Sequence, residues 1–228
     1  MTKILLVEDE EAIRKFVTIN LQIEGYDVMD AESGEKGLEL ADSFRPHIVL
    51  LDVMLPGIDG FEVCSQLRQK YSDIGIIMLT AKSQDVDRIN GLESGSDDYV
   101  TKPFNPKELI LRIKSLERRL GVTTTVVDEN NLISGPFQLH KNSRKITKNG
   151  EELELTPTEY SVLKLFIESP NIAFTRDEIL DSVWGEDFIG DSKIVDVNIR
   201  RLRSKVEDEP SRPKYIKTLW GVGYSWET

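Results

Sequence analysis

His47-Ile48-Val49-Leu50-Leu51-Asp52 is an apolar run that stops on an acid, after which the chain turns through Pro56, Gly57 and Gly60. So short and continuous a run, closed by turn residues, reads as a strand buried on both faces. Phe61, Cys64 and Leu67 then recur at helical spacing. Upstream, Ile4-Leu5-Leu6-Val7 repeats the pattern and leads into Ala12, Phe16, Ile19 and Ile23 at helical spacing, with Gly25 as a stop. Residues 27–31 resume an extended stretch and 34–40 a helical one. Downstream, 74–80 reads as a fourth strand, 86–95 as a helix and 98–101 as a short fifth strand. Residues 106–120, beyond the break at Pro103, form an amphipathic helix. Strand and helix alternate five times, and parallel neighbours need helical crossovers. The expectation for residues 1–120 is an α/β domain with a doubly wound, five-stranded parallel sheet and helices on both faces.

After Leu120 the pattern changes. Residues 121–131 (GVTTTVVDENN) lack helical periodicity and large apolar groups, and read as a linker. Residues 132–228 then mix short strands with three helices, an α+β pattern. Lys148-Asn149-Gly150 signals a hairpin turn between 144–147 and 153–155. Thr156 with Glu159, and Thr175 with Glu178, are capping-box pairs that open helices over 160–168 and 179–184, with Pro157 at a first helical position. A third helix covers 192–206. A strand, the Gly221-Val222-Gly223 turn and Tyr224-Ser225-Trp226 close the chain.

Composition narrows the classes of function. The 228 residues hold 29 Lys plus Arg against 40 Asp plus Glu, a net charge of −11, which on average disfavours a nucleic-acid partner. The average conceals a basic patch, because eight Lys or Arg face four Asp or Glu between positions 193 and 217. An apolar fraction of 39% before glycine is counted excludes disorder as the main state. A lone Cys64 excludes a disulfide scaffold, and His47 and His140 are too few and too distant for a multi-histidine metal site. No apolar stretch approaches the roughly 20 residues of a membrane span. A soluble protein of the reducing cytoplasm is expected, with no membrane partner.

Ligands of doubly wound sheets bind beyond the carboxyl ends of the strands. Glu8 and Asp9 follow strand one, Asp52 ends strand three, Thr80 ends strand four and Lys102 follows strand five. Three acids on one edge repel one another unless a cation joins them, and oxygen ligands suit a hard divalent ion, Mg²⁺ (or Mn²⁺). Read singly, each of these residues could be a helix cap or a solvated turn residue.

The helix over 192–206 has its own pattern. Val195, Ile199, Leu202 and Val206 fall within about 60° of one another on a wheel of roughly 100° per residue, which defines a buried stripe. Lys193, Val197, Arg200, Arg201 and Ser204 lie opposite. A cationic outer face suits phosphates and guanine edges, and Val197 suits a thymine methyl.

Val7-Glu8-Asp9-Glu10, Leu51-Asp52 with Pro56-Gly57-Ile58-Asp59-Gly60, Leu79-Thr80-Ala81 and Asp97-Asp98-Tyr99-Val100-Thr101-Lys102-Pro103-Phe104 together resemble the flavodoxin-like receiver domain of bacterial response regulators. The resemblance implies that Asp52 accepts a phosphoryl group from a sensor histidine kinase. It implies that Glu8, Asp9, Asp52 and the Met54 carbonyl hold Mg²⁺, that Lys102 and Thr80 meet the phosphate, and that Tyr99 turns inward as a switch.

Lys193-Ile194-Val195-Asp196-Val197-Asn198-Ile199-Arg200-Arg201-Leu202-Arg203, with 215–224 (YIKTLWGVGY), is similar to the winged helix-turn-helix effector domain of OmpR/PhoB-type regulators. That likeness implies that the helix enters the major groove of promoter DNA. It makes the closing hairpin a wing near the minor groove, and residues 184–191 a contact for RNA polymerase. Many relatives carry arginine before the wing's Gly-x-Gly, where this chain has Trp220. Lys217 becomes the expected cationic wing contact, with Trp220 either stacking on DNA or packing in the hairpin.

The subfamily likeness also implies a two-fold receiver dimer formed on phosphorylation. Its expected face holds Arg88, Leu92, Glu93, Asp97, Asp98, Glu108, Ile110, Arg112, Lys114 and Arg119. The expected pairs across it are Arg88 with Glu108, Glu93 with Lys114, and Asp97 or Asp98 with Arg112 or Arg119. Eleven linker residues reach on the order of 36 Å, enough to seat two effector domains one DNA turn apart on tandem sites. A haloacid dehalogenase-type phosphatase would need a second Asp where Met54 stands. No enzyme activity is expected, and the remaining alternative is a phosphate-independent transcription factor that uses its receiver only to dimerise.

Overall fold

The computed structural model describes residues 1–81, 95–121, 131–186, 188 and 191–228. The residues fall into two compact units, Met1–Val122 and Thr123–Thr228. The expected helix over 86–95 and most of the expected linker lie outside the described residues.

The first unit contains β1 (Lys3–Val7), α1 (Glu11–Ile23), β2 (Asp27–Ala31), α2 (Gly34–Phe44), β3 (Ile48–Asp52), α3 (Gly60–Lys70), β4 (Gly75–Ala81), β5 (Asp98–Lys102) and α4 (Pro106–Leu120). The strands form one sheet in the order β2-β1-β3-β4-β5, with every neighbouring pair parallel. All five residues of β3, the central strand, are buried, as its unbroken apolar run requires.

The alternation of a strand sends its side chains to two cores. Ile4, Leu6, Ile48, Leu50, Ile77 and Leu79 pack with Val17 and Leu21 of α1 and with Leu109, Ile113 and Leu116 of α4. Leu5, Val7, Val49, Leu51, Ile76 and Met78 pack with Ala41 of α2 and with Val63, Cys64 and Leu67 of α3. The doubly wound expectation is met.

Local chemistry starts and stops the helices. Ser33 accepts from the Lys36 N–H at the head of α2, Asp59 from Glu62 at α3 and Asn105 from Lys107 at α4, each satisfying an amide that has no partner within its helix. Pro106 occupies the first turn of α4, and Gly121 closes that helix in the left-handed conformation, φ 72°.

The second unit contains β6 (Leu132–Ser134), β7 (Phe137–His140), β8 (Lys145–Lys148), β9 (Glu151–Glu152), α5 (Pro157–Glu168), β10 (Ala173–Thr175), α6 (Arg176–Val183), α7 (Lys193–Val206), β11 (Ile216–Leu219) and β12 (Gly223–Trp226). One antiparallel sheet runs β6-β7-β8-β9 and a second runs β10-β12-β11; the three helices follow the first sheet and precede the β11–β12 hairpin, with β10 between α5 and α6, an arrangement compatible with a winged helix. Asn149 and Gly150 both take positive φ, 53° and 87°, the geometry of a two-residue hairpin turn. The turn is therefore tighter than expected, and the strand after it is Glu151–Glu152 rather than 153–155. β10 had no clear sequence signal, because three residues are too few to show alternation. Both capping boxes form, Thr156 with Glu159 and Thr175 with Glu178.

One glycine couples the fold to the acidic edge. A Cβ on Gly60 would stand 2.1 Å from the Asp52 carbonyl oxygen, so α3 begins directly against the end of β3. Gly60→Ala is expected to lower the stability of the first unit by about 1–3 kcal/mol, read from urea denaturation, because backbone must move to admit the methyl group.

Candidate functional site

In a parallel sheet all carboxyl ends share an edge, and the strand order places β1, β3, β4 and β5 side by side there. Glu8 and Asp9 lie just past β1, Asp52 is the last residue of β3, Thr80 is next to last in β4 and Lys102 is last in β5. Glu8, Asp52 and Thr80 are buried, whereas Asp9 is exposed. One carboxylate oxygen from each of Glu8, Asp9 and Asp52 lies within 4.8 Å of the others.

Lys102 binds this group together. Its Nζ donates to Asp52 Oδ2 at 2.7 Å and to Glu8 Oε1 at 2.9 Å, and stands 2.6 Å from Glu8 Oε2. The Met54 N–H donates to Asp52 Oδ1 at 3.1 Å, so each Asp52 oxygen is held by a different donor. Burial pushes the Glu8 carboxyl up to about 7 against the pull of the Lys102 hydrogen bond, and the Asp52 charge adds to the rise. Burial also opposes the charge on Lys102, but hydrogen bonds to Asp52 and Glu8 outweigh it and hold the ammonium above the usual lysine range. Three clustered carboxylates, one of them open to solvent, are the donor set a hard oxygen-seeking cation requires, so these residues fit Mg²⁺.

Thr80 sits one residue beyond Leu79, the register partner of Asp52, and pairs in turn with Thr101 of β5. Tyr99, opposite Met78 in that register, is half-buried with its ring against the core on the α2 and α3 side.

Arg14 is a site residue that the sequence reading missed. From α1 its Nη1 donates to the Glu8 carbonyl at 2.7 Å and the Asp9 carbonyl at 3.1 Å, while Nε bonds Asp30 of β2 at 3.1 Å. It braces the backbone carrying two of the three acids. The only available signal was its place six residues after Glu8 on a helix face, which does not reveal a backbone partner.

Residues 4–114 match the family described as "Response regulator receiver domain", and residues 150–226 match "Transcriptional regulatory protein, C terminal". Transcriptional regulatory protein AfsQ1 of Streptomyces coelicolor is 45% identical over 98% of this chain and 97% of its own length. The probable transcriptional regulator ycf27 of Cyanophora paradoxa is 47% identical over 99% and 96%. The chain belongs to the OmpR/PhoB-type response regulators. Among solved structures, a RitR mutant matches with TM-score 0.77 at 28% identity, covering 99% of each chain. DrrB, a Thermotoga maritima OmpR/PhoB homolog, matches with TM-score 0.51 at 35% identity, covering 100% of each. A receiver joined to a DNA-binding regulatory domain makes this a two-component transcriptional regulator, and implies a histidine-kinase partner and promoter DNA. No helix among the described residues is long and apolar enough to cross a membrane.

The expected dimer face of this response regulator needs correction. Asp97 is ion-paired with Arg68 and accepts from the Ile76 N–H at 2.9 Å. Asp98 Oδ1 accepts from Arg112 Nη1 at 3.0 Å, and Arg112 Nη2 also reaches Glu108 at 2.8 Å. Asp97, Asp98, Arg112 and Arg119 are all buried, and Lys114 pairs with Glu24 at 3.0 Å. Groups expected to meet across a two-fold are already partners within one chain. Acidic and basic residues on adjacent elements look alike whether they pair within a subunit or between two. Ile110 is half-buried against the α1 and α4 core. Arg88, Leu92 and Glu93 lie outside the described residues.

On α7, Lys193, Arg200 and Ser204 are exposed and Val197 is half-buried. Arg201 is buried, which corrects its place on the outer face: Ile194, Asn198 and Arg201 join the stripe of Val195, Ile199, Leu202 and Val206. Helix packing in a small domain covers more of the circumference than the narrow apolar stripe, and a long arginine stem can lie in it.

Arg203 was missed and is structural. Its Nη2 donates to the Ile216 carbonyl at 2.7 Å and to Thr218 Oγ1 at 2.8 Å, tying α7 to β11. Asp196 accepts from Arg176 Nε at 2.7 Å and from the Tyr224 hydroxyl at 2.8 Å, and burial together with that contact pushes the Tyr224 phenol up to about 12. The Lys217 ammonium donates to the Pro213 carbonyl at 2.9 Å, and Trp220 is 92% exposed, so it does not pack in the hairpin. Of the segment 184–191, Trp184 is buried, with its ring 6.1 Å from that of Phe188.

Because the Asp98 and Arg112 side chains are buried against each other, Arg112→Ala is expected to cost about 3–5 kcal/mol in urea denaturation. The double variant Arg112→Met with Asp98→Asn is expected to cost clearly less, since the two paired groups are removed together.

Proposed function

We propose that this regulator is switched by phosphorylation of Asp52. The observation that carries the reading is the Asp52 carboxylate at a strand end, with Met54 N–H on one oxygen and Lys102 on the other, beside Glu8 and Asp9. An Asp52 oxygen attacks the phosphorus of a phosphohistidine on the kinase, an O–P bond forms as the P–N bond breaks, and the imidazole leaves with the electron pair. Mg²⁺ (or Mn²⁺), held by Glu8, Asp9, Asp52 and the Met54 carbonyl, would neutralise charge on the phosphoryl oxygens.

The remaining roles fall to the chain's own side chains. Lys102, already paired with Asp52, follows the added charge of roughly −0.5 to −1 onto the phosphoryl oxygens. Thr80 donates its hydroxyl to one of them. Tyr99, on the strand that ends in Lys102, moves with this rearrangement and carries it toward the dimer face.

That face comprises β5, α4 and the segment holding Arg88, Leu92 and Glu93, with Glu108, Ile110 and Lys114 contributing, while the buried Arg119 supports it from within the chain. Asp97, Asp98 and Arg112 shape it through pairs inside the chain. Lys193, Val197, Arg200 and Ser204 present α7 to the major groove of promoter DNA, and Lys217 and Trp220 belong to the wing. Residues 184–191 serve as the polymerase contact, and residues 121–131 tether the domains so that one dimer spans tandem sites. The protein acts in the cytoplasm and, beyond accepting its own phosphoryl group, is no enzyme.

Incubation with acetyl phosphate and Mg²⁺ is expected to add one phosphoryl group by mass, and Asp52→Ala to abolish the addition. In gel-shift titrations phosphorylation is expected to tighten binding to a tandem site far more than to a half-site, and equal tightening would contradict receiver-driven dimerisation. Arg14→Ala is expected to weaken Mn²⁺ binding about 10-fold, measured by electron paramagnetic resonance, while the thermal transition moves little.

A further inference from the structure

The Met54 N–H donates to Asp52 Oδ1, and the Met54 carbonyl belongs to the proposed Mg²⁺ set. Where that carbonyl points depends on how the turn between β3 and α3 is held. Backbone fixes both ends of the turn. The Val53 N–H donates to the Leu79 carbonyl at 2.9 Å, and the Gly60 N–H returns to the Val53 carbonyl at 3.0 Å. Between these ends Pro56 and Gly57 are exposed, and Gly57 reverses the chain at φ 81°. The tip of the turn therefore stands in solvent.

The first turn of α2 meets that tip. Glu35 Oε1 accepts from the Ile58 N–H at 3.3 Å, and a Cβ on Gly57 would stand 2.6 Å from the same oxygen. A Cβ on Gly34 would stand 2.7 Å from Ile58 Cγ1 and 3.0 Å from the Ile58 carbonyl oxygen, so glycine is what lets the helix start this close to the turn. The N–H groups of Glu35 itself and of Ile58 hold the Glu35 carboxyl below the usual glutamate range, which keeps it an ionised acceptor at neutral pH. Asp30, near the end of β2, holds the other arm of the site, because it bonds the Arg14 that grips the Glu8 and Asp9 carbonyls. One short segment, 30–35, thus reaches the backbone on both sides of the acidic group.

We propose that Glu35 is a positioning residue for the metal site: by holding the Ile58 N–H it fixes the turn that aims the Met54 carbonyl, without itself touching the cation. The proposal rests on the metal-binding reading above and deepens it. Groups that orient a ligand from behind set metal affinity although they lie outside the coordination sphere.

The test uses the full chain, with Mn²⁺ affinity measured by electron paramagnetic resonance and the Ile58 amide followed by NMR. Glu35→Ala is expected to weaken Mn²⁺ binding about 10-fold and to speed solvent exchange of the Ile58 amide. Glu35→Gln, whose amide oxygen still accepts, is expected to keep most of the affinity and the slow exchange. Glu39 lines the same open cleft of about 530 Å³ and is paired with Lys36, so Glu39→Gln removes a like charge and is expected to bind Mn²⁺ as the wild type does. Wild-type affinity in Glu35→Ala, or unchanged exchange of its Ile58 amide, would overturn the proposal. So would a Glu35→Gln variant as weak as Glu35→Ala, or a Glu39→Gln variant weakened as much, because charge in the cleft and not the hydrogen bond would then set the affinity. Asp52→Ala separates the two failures: if it binds Mn²⁺ as tightly as the wild type, the metal-binding reading itself falls, and the proposal with it.

Discussion

The Lys102 ammonium is the counter-charge on which the functional edge of the first unit depends. Parallel pairing brings the ends of β1, β3, β4 and β5 together, and with them three carboxylates that repel one another. Within that group the ammonium stands 2.7 Å from Asp52 and 2.6 Å from Glu8, so both buried acids share one cation. The arrangement is poised. It is balanced enough to fold, yet any charge added at Asp52 changes what Lys102 must satisfy, and Lys102 ends a strand whose register runs through Tyr99 and Thr101 beside β4. The Asp52 carboxylate is thereby linked, through the Lys102 ammonium, to the end of an edge strand.

The rest of the first unit keeps that edge in place. Gly60 lets α3 start against the Asp52 backbone, Arg14 grips the carbonyls behind Glu8 and Asp9, and Arg68 fixes the entry to β5 through Asp97 and the Gly95 carbonyl. These are contacts between side chains and backbone. They restrict where the chemistry-bearing residues can go without taking part in it. The second unit follows the same logic on a smaller core: Asp196, Arg176, Tyr224 and Arg203 form a polar lattice behind α7, which leaves the cations of its outer face and the wing tip exposed.

The net charge of −11 takes on a different meaning once charges are located. Part of the acid gathers at the strand ends, and much of the rest is spent in pairs such as Lys148 with Asp208 and Lys205 with Glu159. What remains for an anionic partner is a local surface and a weak long-range field. A field of this kind adds little to the non-specific attraction of a polyanion.

Periodicity and strand-end chemistry made most of the fold and the acidic site legible in the sequence. The unbroken run Ile48-Val49-Leu50-Leu51 could only be buried on both faces, and that requires helices on both sides. Glu8, Asp9, Asp52, Thr80 and Lys102 were each next to a strand end, so a parallel sheet had to bring them to one edge. Capping boxes marked α5 and α6 because their chemistry is local. Only the tertiary structure decided the pairings. Arg14 and Arg203 act on backbone carbonyls, which every residue possesses and no sequence distinguishes. Asp98 and Arg112 close on each other within one chain, and Arg201 turns inward, because burial depends on what packs against a helix and not on its own pattern. Trp220 could as well have packed in the hairpin, and its exposure was settled by a turn that closes through Gly221 without it. The sequence alone determined where the ionisable groups stand along the chain; which groups they meet depended on distances that only the packed chain sets.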